Sequence, residues 1–172
     1  TLNLDTRQIE AKITNRTKAI LPVHVFGLPC NMDEICQLSE KHNLRIIEDS
    51  CEAIGATFNG KKVGGIGDCG VFGFYPNKQM TTGEGGMTVT NNDEVADLAR
   101  SLRNQGRDSH SSWLAHQRLG YNYRISDIQS ALGIAQLERI EELLEKREKV
   151  AKFYNDLFKN IPNINLLQNT PK

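Results

Sequence analysis

"KAILPVHVFGLPCNMDEICQLSEKHNLRIIED" (residues 18–49) is the stretch on which the fold turns. Its first part, "KAILPVHVFG" (18–27), is an apolar run that reads as a buried strand ending at Gly27. "NMDEICQLSEKHN" then carries helix signals: Asn31 as N-cap, Asp33 and Glu34 in the first turn, and Ile35 and Leu38 on one face. Lys41, His42 and Asn43 mark its end, and "LRIIED" (44–49) reads as a second strand. Strand, helix and strand within about 30 residues form a βαβ unit, so the two strands are expected to be parallel, with a right-handed crossover. The chain is therefore assigned to the α/β class.

Downstream, "ATFNGKKVG" holds Asn59-Gly60, a hairpin turn signal. "GVFGFY" (70–75) and "GMTVT" (86–90) are two further short strands, and "DEVADLARSLRNQG" (93–106) is an amphipathic helix stopped by Gly106. "RDSHSSWLAHQRLGYNYR" (107–124) is polar and aromatic with no clear period, and its length suits a functional loop. A long helix is predicted over "SDIQSALGIAQLERIEELLEKREKVAKFYNDLFKN" (126–160), with Ser126 and Gln129 in capping-box spacing and Pro162 beyond its end. The closing "QNTPK" adds no element and reads as a cut.

The bulk numbers narrow the function classes. A chain of 172 residues is of one-domain size and can bury about 70% of its unfolded surface. Lys+Arg and Asp+Glu are equal at 21 each, against a nucleic-acid or anionic-membrane footprint. No apolar run approaches the ~20 residues of a membrane helix, and "TLNLDTRQIE" lacks the layout of a signal peptide. Cys30, Cys36, Cys51 and Cys69 have no zinc-site spacing, so no metal is expected and a cytosolic, reduced chain is.

Three motifs compete for the chemistry. "GIGDCG" (65–70) satisfies G-x-G-x-x-G, but a strand-like run follows it where a dinucleotide site needs a helix N-terminus. Its glycines are read as a turn into the next strand. No phosphate-binding P-loop pattern occurs. Asp49 and Glu52 follow the second strand, where open α/β sheets bind ligands. Asp49 is open to a second reading as a helix N-cap, and the two acids to a third as a glycosidase pair, which would leave Lys78 unexplained. Lys78, in "FYPNKQMTTGEGG" (74–86), has no acid within five residues on either side and lies between an aromatic run and a glycine turn. An apolar setting away from acids lowers an amine's pKa and leaves it nucleophilic. A carboxylate at one strand end and such a lysine after another suit pyridoxal 5'-phosphate, whose aldehyde condenses with an amine and whose ring nitrogen is kept protonated by a carboxylate.

Five segments in order, "TKAILPVHVFG", "IIEDSCEAIGA", "GDCGVFGFYPNKQMTTGEGG", "LRNQG" and "GYNYRISDIQSALGIAQL", resemble the DegT/DnrJ/EryC1/StrS family up to about residue 158. The resemblance implies a pyridoxal-phosphate sugar aminotransferase of fold type I, like aspartate aminotransferase. Residues 1–145 would be part of a large domain with a mostly parallel sheet flanked by helices. Residues 146–172 would be the end of the interdomain helix and the start of a small domain. It further implies Lys78 as the Schiff-base lysine and Asp49 as the partner of the pyridine nitrogen. Glu52 would lie near the phenolic oxygen, a glutamate there being perosamine-synthase-like. Asn122 and Arg124 would reach the cofactor phosphate of a neighbouring subunit in a homodimer. Gly73 stands where many members have a phosphate-contacting serine, and can offer only its backbone N–H. The N-terminal phosphate turn, the ring-stacking residue and the C-terminal small domain are not in the chain. The implied reaction moves an amino group, from glutamate, to a nucleotide-linked 4-keto-6-deoxy sugar. A sugar dehydratase, whose members carry histidine in place of the lysine, and a non-catalytic regulator on the same fold are the alternatives.

Overall fold

The computed structural model describes residues 1–108 and 115–167. Part of the 107–124 loop and the closing "QNTPK" therefore lie outside the described residues.

The βαβ unit forms as its signals require. In α1 (Met32–His42) the Asn31 side chain accepts the Glu34 N–H, acids occupy the first turn, and Lys41 and His42 the last, each matching the helix dipole. Asn43 closes the helix in the left-handed region at φ 50°. The strand expected over 18–27 is far shorter: β1 is Ala19–Ile20, parallel to β2 (Arg45–Asp49) through Ala19↔Arg45 and Ile20↔Ile46. Pro22 has no N–H to continue a ladder. The chain makes one more bridge, Val23↔Asp49, and then turns at Phe26 and Gly27, both at positive φ.

The main sheet has the order β1-β2-β5-β6. β5 (Cys69–Gly73) lies parallel to β2, with Asp49 opposite Val71. β6 (Gly86–Val89) runs antiparallel to β5 and is the last strand of this sheet among the described residues. The sheet is thus mixed, its antiparallel pair lying at one side. β3 (Thr57–Phe58) and β4 (Lys61–Lys62) form the hairpin expected from Asn59-Gly60, both turn residues at positive φ. Ile20, Met32, Ile35, Leu44 and Ile46 form the core between α1 and one face of the sheet.

α2 (Asp93–Arg103) is capped by Asn92, and Gly106, at φ 77°, donates back to the Ser101 carbonyl. The single helix expected over 126–160 is two, α3 (Asp127–Leu137) and α4 (Ile140–Phe158). The Ser126–Gln129 capping box is present. The break at Arg139 (φ −108°, ψ 12°) lets two faces meet different targets. Gly133 of α3 lies against Thr82, and Leu144 of α4 against Gly55.

One close approach explains Gly70 of "GIGDCG". A Cβ on Gly70 would fall 2.5 Å from Gly64 Cα and 2.7 Å from its carbonyl carbon, both backbone atoms that cannot step aside. Gly65 has room, its nearest such neighbour being the Lys62 oxygen at 3.7 Å. Gly70→Ala is expected to cost about 3 kcal/mol of unfolding free energy, and Gly65→Ala less than about 1 kcal/mol; urea denaturation of the two variants checks the contrast.

Candidate active site

β2 alternates its side chains across the sheet, sending Glu48 into the interior and leaving Asp49 half-buried at the strand's C-terminal end. The buried side is polar. Glu48 and His24 are both fully buried, with Nε2 of His24 3.1 Å from Oε2 of Glu48. His24 Nδ1 accepts the Cys30 N–H, so the ring's own proton is on Nε2, donated to Glu48. Oε2 also accepts Gly64 N–H at 2.7 Å, and Oε1 accepts Ile66 N–H at 2.7 Å and Gly67 N–H at 2.6 Å. Burial pushes the Glu48 carboxyl up, but His24 and the three backbone donors outweigh it and hold the group below the usual glutamate range.

On the other side, Asp49 Oδ1 accepts the Cys51 N–H at 3.1 Å. No helix follows, which removes the N-cap reading of Asp49. The Cys51 thiol is pushed up to about 11 by burial, then by the Asp49 hydrogen bond and charge, while Lys78 pulls it down. Gly73 is next to this thiol: a Cβ there would meet Cys51 Sγ at 3.4 Å, ordinary contact distance.

Lys78 is isolated in sequence but not in space. Its Nζ is 3.4 Å from Glu52 Oε1, correcting the expectation of an amine kept away from acids. The acid comes from the segment after β2, 26 residues away, where a local window cannot register it. Glu52 Oε2 accepts the N–H of Phe26, the residue at φ 53°. The pair is long and part-exposed, a class worth only about 0–1 kcal/mol, so it holds the amine loosely.

The backbone around Lys78 is held from a distance. Arg147 of α4 donates from Nη2 to the Asn77 carbonyl at 3.0 Å and to that of Lys78 at 2.5 Å. Gln79 donates its side-chain amide to the Glu52 carbonyl, and Gln136 of α3 accepts the Thr81 N–H at 3.3 Å. Arg147, Glu48 and His24 were not singled out by sequence: Arg147 sits in a charged helix where it reads as surface, and the other two lie inside strand-like runs.

Asn122 and Arg124 are placed apart from this cluster. Asn122 bridges Asn104 as an isolated antiparallel pair, and Arg124 Nη1 donates to Asn104 Oδ1 at 2.8 Å. Tyr121 and Tyr123, on either side of Asn122, stack with centroids 4.9 Å apart and are exposed. A cavity of about 670 Å³ opens here, lined by Arg100, Arg103, Arg107, Arg118 and Arg124 among others. Among the described residues no cluster of three metal-ligating side chains occurs, and no helix is long and apolar enough to cross a membrane.

The profile of the DegT/DnrJ/EryC1/StrS aminotransferase family matches residues 1–172. The chain is 49% identical over 163 residues to a GDP-perosamine synthase of Caulobacter vibrioides, an alignment covering 95% of this chain and 44% of that protein. Its fold superposes on PseC of Helicobacter pylori, an aminotransferase involved in the biosynthesis of pseudoaminic acid, with a TM-score of 0.86 and 37% identity over 93% of this chain and 43% of the other. It also superposes on a GDP-4-keto-6-deoxy-D-mannose-3-dehydratase of E. coli with bound hydrated PLP, at TM-score 0.86 and 32% identity over 99% of this chain and 48% of the other. The chain therefore spans under half the length of these relatives, and its fold is that of part of a fold type I, pyridoxal-phosphate-dependent aminotransferase.

The depressed Glu48 carboxyl has a pH signature. Because its folded value lies below the ordinary glutamate value of about 4.3, its stabilisation is complete above that pH and is lost as pH falls through the folded value. Glu48→Gln is expected to lower stability at pH 7 and to flatten its decline in acid, as measured by urea unfolding at stepped pH.

Proposed function

The chain belongs to the DegT/DnrJ/EryC1/StrS aminotransferase family, and on that premise we propose that it carries the reactive residues of a pyridoxal-phosphate-dependent aminotransferase acting on a nucleotide-linked keto sugar, of the 4-keto-6-deoxy kind. The observation that carries the reading is that one short segment at the C-terminal end of β2 holds both groups: Asp49 Oδ1 accepts the Cys51 N–H, and the adjoining Glu52 Oε1 lies 3.4 Å from Lys78 Nζ. The donor set fits the group, with an anion for a ring nitrogen and an amine, weakly paired, for an aldehyde. Pyridoxal 5'-phosphate, when bound, supplies that aldehyde and a protonated ring able to take up an electron pair.

In this reading Asp49 would face the ring nitrogen and its negative charge would favour the protonated ring. Lys78 Nζ would be the amine that holds the cofactor, and when free it would move a proton to and from the substrate α-carbon. Glu52 orients the amine through Oε1 while its other oxygen grips the Phe26 backbone. Gly73, lacking a side chain, leaves phosphate binding to backbone and to other residues. Asn122 and Arg124, tied to Asn104 and not to the lysine turn, fit a loop that completes the site of a second subunit in a homodimer. Glutamate is the proposed amine donor. Residues 1–145 would belong to the large domain, and 146–172 to the passage into a small one. Four free thiols and a nucleotide-linked substrate suit the cytosol. The superposition on a dehydratase keeps that reaction as the alternative, against which Lys78 stands, since that branch carries histidine there.

Borohydride reduction of the full-length protein with cofactor, followed by peptide mapping, is expected to label Lys78. Lys78→Ala is expected to lower kcat/KM by about 10⁴-fold and Asp49→Asn by about 10³-fold. Labelling spread over several lysines, or turnover surviving Lys78→Ala, would contradict the assignment. Removal of the sugar 3-hydroxyl without amine incorporation would establish the dehydratase.

In the same protein, Arg124→Ala is expected to weaken cofactor binding, and mixing it with inactive Lys78→Ala subunits is expected to restore part of the activity. No recovery in the mixed dimer would remove the shared-site reading.

A further inference from the structure

We infer that Glu48 and His24 are positioning residues that set where the Asp49 carboxylate stands. The inference rests on the cofactor reading above and goes beyond it, since neither residue touches the proposed site.

Asp49 is held through its backbone. Its N–H donates to the Pro22 carbonyl at 2.9 Å, and its carbonyl accepts the His24 N–H at 3.0 Å. Its side chain bonds the Cys51 N–H, two residues on, so the direction of the carboxylate follows the local chain. The residues beside these contacts, Glu48 and His24, are the ones buried completely and paired at 3.1 Å. Glu48 gathers four donors from three places: the His24 ring, Gly64, and the Ile66–Gly67 pair. His24 adds a fourth segment by accepting the Cys30 N–H. The loop after β1, the end of β2 and the glycine turn before β5 are thereby locked to one carboxylate, directly beneath the residue that faces the site. A glutamine at 48 would keep one accepting oxygen and turn an NH2 group toward donors that already hold protons.

The ring nitrogens of His24 do separable work, which makes the test specific. Glutamine at 24 places an amide donor near the Nε2 position and loses the acceptor for Cys30. Asparagine keeps an acceptor near Nδ1 and loses the donor to Glu48. In the full-length protein, cofactor affinity and the pH midpoint of the cofactor's visible absorbance would be measured for wild type, Glu48→Gln, His24→Asn and His24→Gln, alongside urea unfolding. Glu48→Gln and His24→Asn are expected to weaken cofactor binding about tenfold, the scale for partners that orient a ligand without touching it. Both are expected to move the absorbance midpoint in the direction that Asp49→Asn moves it. His24→Gln is expected to recover most of both readings, although it too loses a buried hydrogen bond and stability. The double variant His24→Asn/Asp49→Asn is expected to show no shift beyond Asp49→Asn alone, since His24 acts through Asp49. If affinity and midpoint instead follow the order of stabilities, with His24→Asn and His24→Gln alike, the pair is structural only and the inference is overturned. Should Glu48→Gln fail to fold, the two His24 variants decide it. Wild-type protein that takes up no cofactor at Lys78 would overturn the cofactor reading and this inference together, an outcome distinct from the first.

Discussion

Glu48 holds the centre of this structure. A carboxylate removed from water carries a desolvation cost of several kcal/mol, and it persists in the folded state only if its lone pairs are filled. Here the His24 ring and three backbone N–H groups fill them. The requirement runs both ways. The 64–67 turn has amides facing the interior that need an acceptor, and the strand end of β2 needs something to fix its neighbour. One side chain meets both needs, and the site on the opposite face inherits its geometry.

The glycine-rich motif shows why spacing alone misleads. "GIGDCG" has the pattern of a dinucleotide fingerprint, yet the chain continues into β5 where a helix would be required. Its backbone donors face the protein's own carboxylate and not a pyrophosphate. Gly70 is needed because Gly64 crosses it at contact distance, whereas Gly65 has space for a side chain. The glycines serve close packing and inward-facing amides, and the context after the motif discriminates.

What was legible in the sequence was local. Asn31 and Asn43 bracketing α1, Asn59-Gly60 in the hairpin, and Ser126 with Gln129 each act within a few residues, and each appears where expected. The first strand was overestimated because hydrophobicity continues past Pro22, whereas the ladder does not. The long helix was read as one because its apolar period carries through Arg139 without a proline or glycine to mark the break. The position of Lys78 after a strand-like run was readable, but its partners were not. Glu52 and Arg147 reach it from 26 and 69 residues away. Glu48 was hidden by its neighbour: in "IIED" the exposed-looking aspartate draws attention, and the period-two alternation that buries the glutamate emerges only once the strand has both faces covered.

β6 has a consequence of another kind. Among the described residues it lies last in the sheet, paired to β5 along one side, and Gly86, Met87 and Thr88 are exposed. A strand in that position presents a row of unmet amides and carbonyls, which is a template for strand addition. With Gly86 at its start and no lysine or proline along it to deter pairing, β6 is open to pairing with an extended segment. In a polypeptide handled as this segment alone, such pairing becomes self-association edge to edge, a hazard set by backbone chemistry and independent of whether Lys78 is intact.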